Sequence, residues 1–295
     1  MKRTLAVVVA AAAQLVSACG SKADLSGSNQ QSASGEVVVG SADFTENKIL
    51  AEIYAGALKN AGTKVSVKSG IGARELVVKA LQDKSLGVVP EYTGNLLNYF
   101  DKANTTTTSE DVYTALKAKT PSGLSVLDKS AAEDKDVLVV TQATADSGVK
   151  SIADLASKPD FVLGAAGEWA QRWQAKIKDL YGVAFKEIKT TDAGGPVTVD
   201  ALKNGTAQVA NLYTTSADIK ANGFVELADP KNMYPAQNIV PLLRSDALDD
   251  KGKAALNKVS AALTTEKLAL LVKRVDVDKE TIANVAADFI STEKI

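Results

Sequence analysis

Residues 36–68 read EVVVGSADFTENKILAEIYAGALKNAGTKVSVK, and the reading of this stretch decides the fold. Its first five residues are β-branched at the centre and predict a strand. Over 47–60, Ile49, Leu50, Ile53, Ala57 and Leu58 recur at helical spacing, and 64–68 returns to a β-branched run. The unit then repeats, with a helix expected over 74–82, a strand over 86–90, and helices over 94–100 and 110–118. A βαβαβ order of this kind implies a largely parallel sheet with helices on both faces.

A second cycle follows. Strands are expected at 137–140, 161–164, near 185–188 and at 208–212, interleaved with a capped helix at 151–156 and helices at 171–181 and 197–204. An apolar run at 239–242 precedes three helices, at about 250–263, 266–272 and 279–290, with no strand between them. Three such helices suit packing on a lobe already formed, so the first lobe reads as discontinuous. The crossings fall near 131–136 and 233–238, giving 36–136 with 238–295 as one lobe and 137–237 as the other. Two connecting segments make a hinge.

The chain opens differently. Lys2 and Arg3 precede an apolar run at 5–13, and 15–19 reads Leu-Val-Ser-Ala-Cys, closing an export signal on the single cysteine of the chain. This resembles a bacterial lipobox, which implies cleavage after residue 18, acylation of Cys19 and tethering to the outer face of a membrane; an ordinary cleavable signal is the alternative. Residues 19–35, rich in Ser, Gly, Gln and Asn, read as a flexible leash. No later stretch approaches the roughly 20 apolar residues of a spanning helix.

Composition narrows the chemistry. With no histidine and one cysteine, the Ser-His-Asp and Cys-His nucleophilic systems and the usual zinc sites are excluded. Glu46, Glu91, Asp136 and Glu168 show no spacing for carboxylate catalysis, so no enzyme, cofactor or metal is expected. Losing Lys2 and Arg3 takes Lys+Arg from 34 to 32 against 35 Asp+Glu, a mature charge near −3 with no basic cluster, which disfavours nucleic acid. Gly194-Gly195-Pro196 marks a turn before a helix rather than a phosphate loop.

Four motifs stand in order on the expected elements: Phe44-Thr45-Glu46 after the first strand, Pro90-Glu91-Tyr92-Thr93-Gly94 after the third, Tyr213-Thr214-Thr215 in the second lobe, and Tyr234-Pro235 with Pro241 at the return crossing. Together they resemble the substrate-binding proteins of glycine betaine, carnitine and choline ABC importers, over nearly all of the mature chain. The resemblance implies an α/β, two-lobed periplasmic-binding-protein-like fold of type II. Each lobe would be a mainly parallel sheet flanked by helices, with the ligand cleft between lobes. It further implies a monomer that captures a small solute and delivers it to a permease driven by an ATPase. A surface sensor binding the same solute is the alternative.

A quaternary ammonium donates no hydrogen bond, so aromatic faces must recognise it. Tyr92 and Tyr213 stand at strand ends, where open parallel sheets bind ligands; Tyr234 reads equally as a site or a packing residue. Tyr54, Tyr99, Tyr113 and Tyr181 fall within helical patterns and read as packing. Phe44, Thr93 and Thr214 belong to the motifs. Arg172 falls where the family carries an arginine suited to a ligand carboxylate, or is a surface charge on a helix start. The amides of Gly94 and Asn95 are further carboxylate donors, and Trp169 either walls the cage or anchors the core. Departures are equally informative: Asp136 stands where some members place another aromatic, Gln237 replaces a tyrosine, Asn95 a threonine, and Ala42 a common lysine. The cage is depleted, which implies weak betaine binding or a ligand with polar hydrogens near its cation.

Overall fold

The computed structural model describes residues 35–295; the expected export signal, the expected leash apart from Gly35, and Cys19 lie outside the described residues. In chain order the first half comprises β1 (Glu36–Gly40), α1 (Thr45–Asn60), β2 (Lys64–Lys68), α2 (Arg74–Gln82), β3 (Val88–Tyr92), α3 (Thr93–Phe100), α4 (Ser109–Lys119) and β4 (Leu124–Val126). The chain then makes β5 (Asp136–Thr141), α5 (Gln142–Asp146), a 3-10 turn (Ile152–Ser157), β6 (Val162–Ala166), a π turn (Ala170–Gln174), α6 (Ala175–Tyr181), β7 (Glu187–Thr191), α7 (Pro196–Lys203), β8 (Val209–Tyr213), α8 (Ala217–Ala221) and β9 (Phe224–Glu226). It returns through β10 (Ile239–Arg244) and ends in α9 (Asp250–Ala262), α10 (Thr265–Asp276) and α11 (Ile282–Glu293).

Two five-stranded sheets result, with orders β2-β1-β3-β10-β4 and β7-β6-β8-β5-β9. The pattern is the same in both: three parallel strands, then a reversed strand, then a short edge strand. The reversed strand is in each case the first that the chain forms on arriving from the other sheet. Strands β3 and β8 end at the crossings, so a chain entering there must run away from them and pair antiparallel. The short strands β4 and β9 were invisible to the apolar-run criterion because only three residues of each are paired.

The crossing segments pair with each other. Glu133 and Asn238 form an antiparallel bridge, Ile239 N donates to Ala132 O at 3.0 Å, and Asp134 N donates to Gln237 O at 3.2 Å.

Helix α1 explains its own position: Ile49, Leu50, Ile53 and Leu58 are fully buried on the face that its spacing predicted. It packs in one cluster with Leu256, Leu268, Val285 and Phe289, so the three terminal helices share the core of β1 and α1. Gly56 permits this approach, since a Cβ there would lie 2.1 Å from Ile290 Cδ1. The second sheet has its own core around Leu138, Leu163, Trp169 and Val209.

Most expected elements appear with shifted ends. The strand expected over 86–90 runs two residues later and closes on Tyr92, and the strand near 185–188 lies at Glu187–Thr191. The helix expected over 171–181 is two pieces, a π turn and then α6. No helix among the described residues is long and apolar enough to cross a membrane.

Candidate ligand cleft

A cavity of about 500 Å³ opens between the sheets, lined from the first by Phe44, Asn47, Arg74, Tyr92 and Asn95, and from the second by Arg172, Trp173 and Tyr213. The crossing segments contribute Asp134, Lys135, Asp136, Tyr234, Pro235 and Gln237. Eight of the expected residues therefore meet at one cavity: Phe44, Tyr92, Asn95, Asp136, Arg172, Tyr213, Tyr234 and Gln237. Thr93 and Thr214 do not line it. The Thr93 hydroxyl is buried, donating to Ala236 O and accepting from Asn238 N. Thr214 ties the hinge, donating to Glu133 O and accepting from Lys135 N.

Tyr92 closes β3, and its ring lies 6.0 Å from that of Phe44, centroid to centroid. The Tyr92 hydroxyl is engaged by the protein, donating to Glu46 Oε1 at 2.8 Å. Burial, followed by the charge of Asp134, pushes the Glu46 carboxyl up to about 8. Burial likewise raises Asp134 to about 6, although Thr215 Oγ1 donates to it at 2.9 Å and so favours its charged form.

Asp136 begins β5, directly opposite Tyr213 at the end of β8. Its carboxylate accepts from Asn211 Nδ2 at 2.9 Å, and burial raises it despite that bond and the Arg172 charge. Asn211 Oδ1 in turn accepts from the Tyr234 hydroxyl at 3.0 Å and from Trp169 Nε1 at 3.0 Å. Trp169 is therefore a core anchor, buried and bonded, which resolves the choice left open by its sequence. Tyr234 is both packed and cavity-facing: its ring meets that of Trp173 edge-on at 5.0 Å.

Trp173 is the aromatic that sequence reasoning missed. It lies on the π turn with Arg172, whose guanidinium sits 5.1 Å from the Trp173 ring centroid. An i→i+5 turn re-aims side chains relative to an α-helix, and such turns recur at functional sites. Arg172 is exposed at the cleft and makes no ion pair among the described residues, whereas Arg74 is held by Glu91 through contacts of 2.9 to 3.0 Å.

The α3 N-terminus is occupied differently from expectation. Asn95 N donates to Gln237 Oε1 at 2.9 Å and Thr93 N to Asn238 O at 3.0 Å, so the Asn95 amide is not free for a ligand carboxylate. Gln237 thus caps a helix.

Two lobes, two paired crossings and a ring-lined cavity between them define a solute-binding protein of the periplasmic-binding class. Residues 35–292 match the family described as the substrate binding domain of ABC-type glycine betaine transport systems, and the chain belongs to that family. It is 27% identical over 270 residues to the glycine-betaine-binding protein of Pseudomonas aeruginosa, covering 85% of this chain and 86% of the relative. Apo YehZ from Escherichia coli matches with a TM-score of 0.75 at 27% identity, over 88% of this chain and 99% of that one. A crystal structure described as a glycine betaine/carnitine/choline ABC transporter shares the fold, with a TM-score of 0.81 at 20% identity over 88% and 98% of the two chains.

Proposed function

We propose that this chain captures a small osmoprotectant-like solute bearing an ammonium head (glycine betaine, choline, carnitine or a related compound) and delivers it to an ABC permease and its ATPase. The observation that carries the reading is the meeting of Phe44, Tyr92, Trp173, Tyr213 and Tyr234 with Asp134 and Asp136 around one cavity. Ring faces attract a cation with about 0.5 to 2 kcal/mol each when desolvated, and carboxylates add a counter-charge. Capture follows hinge closure: a solute touching rings from both sheets favours the conformation in which both reach it. The lobes are 36–136 with 238–295, and 137–237, turning on the paired crossings.

The body is a monomer held at the extracytoplasmic face through lipidated Cys19, and it performs no chemistry on its solute. The absence of histidine and of any cysteine beyond residue 19 supports a binding role over an enzymatic one.

A thermal-shift screen over glycine betaine, choline and carnitine tests the reading, because a ligand at about 100 times its Kd adds roughly 2.7 kcal/mol to stability. A marked rise in Tm with at least one is expected. No shift with any of them at millimolar concentration overturns the proposal.

A further inference from the structure

The charges around the cleft do not balance. Arg74 is spent on Glu91, Lys135 on Glu133 at 2.9 Å, and Lys48 on Asp43 at 2.7 Å. Asp134, Asp136 and Glu46 have no ion-pair partner among the described residues; their contacts are the neutral donors Thr215, Asn211 and Tyr92. Against these three carboxyl groups, of which Asp134 and Asp136 line the cavity, stand Arg172 at its exposed side and Lys176, which does not line it but whose Nζ lies 5.3 Å from the Trp173 ring centroid; neither has an ion-pair partner among the described residues. Of the amides that open α3, those of Thr93 and Asn95 are taken by Asn238 O and Gln237 Oε1.

Resting on the proposed reading of the cleft, we infer that Asp134 and Asp136 set its specificity, selecting a solute of net positive charge without a carboxylate over a zwitterion with the same ammonium head. The physical ground is asymmetric. A bound cation supplies the counter-charge that buried carboxylates lack, and this gain is shared by every ligand with an ammonium head. A ligand carboxylate enters the same low-dielectric space as a like charge, with Arg172 the one cation lining the cavity that has no ion-pair partner among the described residues to offset it. Choline and glycine betaine isolate the difference, because they share the trimethylammonium group and differ in a hydroxymethyl against a carboxylate.

Calorimetric titration of the purified protein with both compounds at pH 7.5 is the test. Choline is expected to bind at least about tenfold more tightly. Asp134→Asn and Asp136→Asn should each narrow the ratio by about threefold or more, whereas Arg172→Gln should widen it. Glycine betaine binding as tightly as choline, or a ratio unmoved by both Asn variants, overturns the inference. If the Asn variants do not fold, as judged by their melting curves, the unsubstituted ratio and Arg172→Gln, an exposed position, decide it. Binding of neither compound overturns the reading of the cleft itself, and the preference with it.

Discussion

The phenol of Tyr92 donates to Glu46 Oε1 at 2.8 Å, so the hydroxyl of the strand-end tyrosine serves the wall of the cleft and only its ring serves the cavity. Glu46 is 5% exposed, and the Tyr92 phenol donates directly to its carboxyl, with the Thr215 hydroxyl close by. Tyr92→Phe is therefore not a neutral probe of ring contact. It should destabilise the protein by about 1 to 3 kcal/mol, the cost of a buried acceptor losing its donor. Tyr213→Phe should cost little, since the Tyr213 hydroxyl has no partner among the described residues. Urea denaturation of the two variants checks this: equal midpoints would show that the Glu46 contact contributes nothing.

The same carboxyl predicts opposite pH trends for stability and binding. Glu46 is raised from 4.5 to about 8 and Asp134 from 3.8 to about 6, mainly by burial, so the folded protein holds more protons than the unfolded chain across that interval. Their contribution to stability is fully present below the unfolded values and is lost as pH rises through about 6 and then about 8. Affinity for a cation should instead increase over the same range, as the carboxyls ionise. Melting temperatures and calorimetry between pH 5 and 8.5 follow both trends, and Glu46→Gln should flatten the upper part of each.

Gly94 is required by a close approach. A Cβ there would lie 2.5 Å from Ala236 O and 2.9 Å from Gln237 Nε2, where the obstructing carbonyl belongs to the return crossing. Gly94→Ala should push α3 from that segment, lowering stability by about 1 to 3 kcal/mol and weakening binding with it. A variant with unchanged Tm and unchanged affinity would refute this account of the position.

The rings should divide the cation between them. Trp173→Ala and Tyr213→Ala are each expected to cost about 1 to 3 kcal/mol of binding, roughly tenfold to a hundredfold in affinity. Calorimetry with whichever compound the thermal screen identifies measures the loss. Full affinity in both would remove these rings from the site.

Anchoring is testable apart from binding. Cys19→Ser should move the protein from the membrane to the soluble fraction while its solute affinity stays unchanged, because no residue beyond the leash is altered. Membrane retention of the variant, followed by fractionation and immunoblotting, would refute lipid attachment at residue 19.

What the sequence revealed follows from the range of the forces involved. The β-α-β period is local, so 36–68 announced its elements, and apolar runs located β3 and β8 closely enough to put Tyr92 and Tyr213 beside their ends, although both strands run one or two residues further than expected. The reversed pairing of β5 and β10 was not readable, since it depends on where the chain re-enters a sheet. Trp173 escaped because a π turn breaks the helical spacing from which facing residues are inferred. Glu46 stood in a quoted motif but its contact with Tyr92 spans 46 positions, and no pattern along the chain marks such a pair. Thr93 and Thr214 share motifs with cavity residues, yet polar neighbours at a hinge are drawn to backbone groups that must be satisfied when buried.

Strand β10 occupies the gap between β3 and β4, pairing with both. During synthesis the residues of β3 and β4 emerge first, and the strand that joins them appears only after all of 127–238 has been made. Until then β3 lacks its partner along one edge, and the first sheet cannot close. The order of strands thus delays completion of the first sheet until the second has been produced, which suits a polypeptide whose first residues read as an export signal.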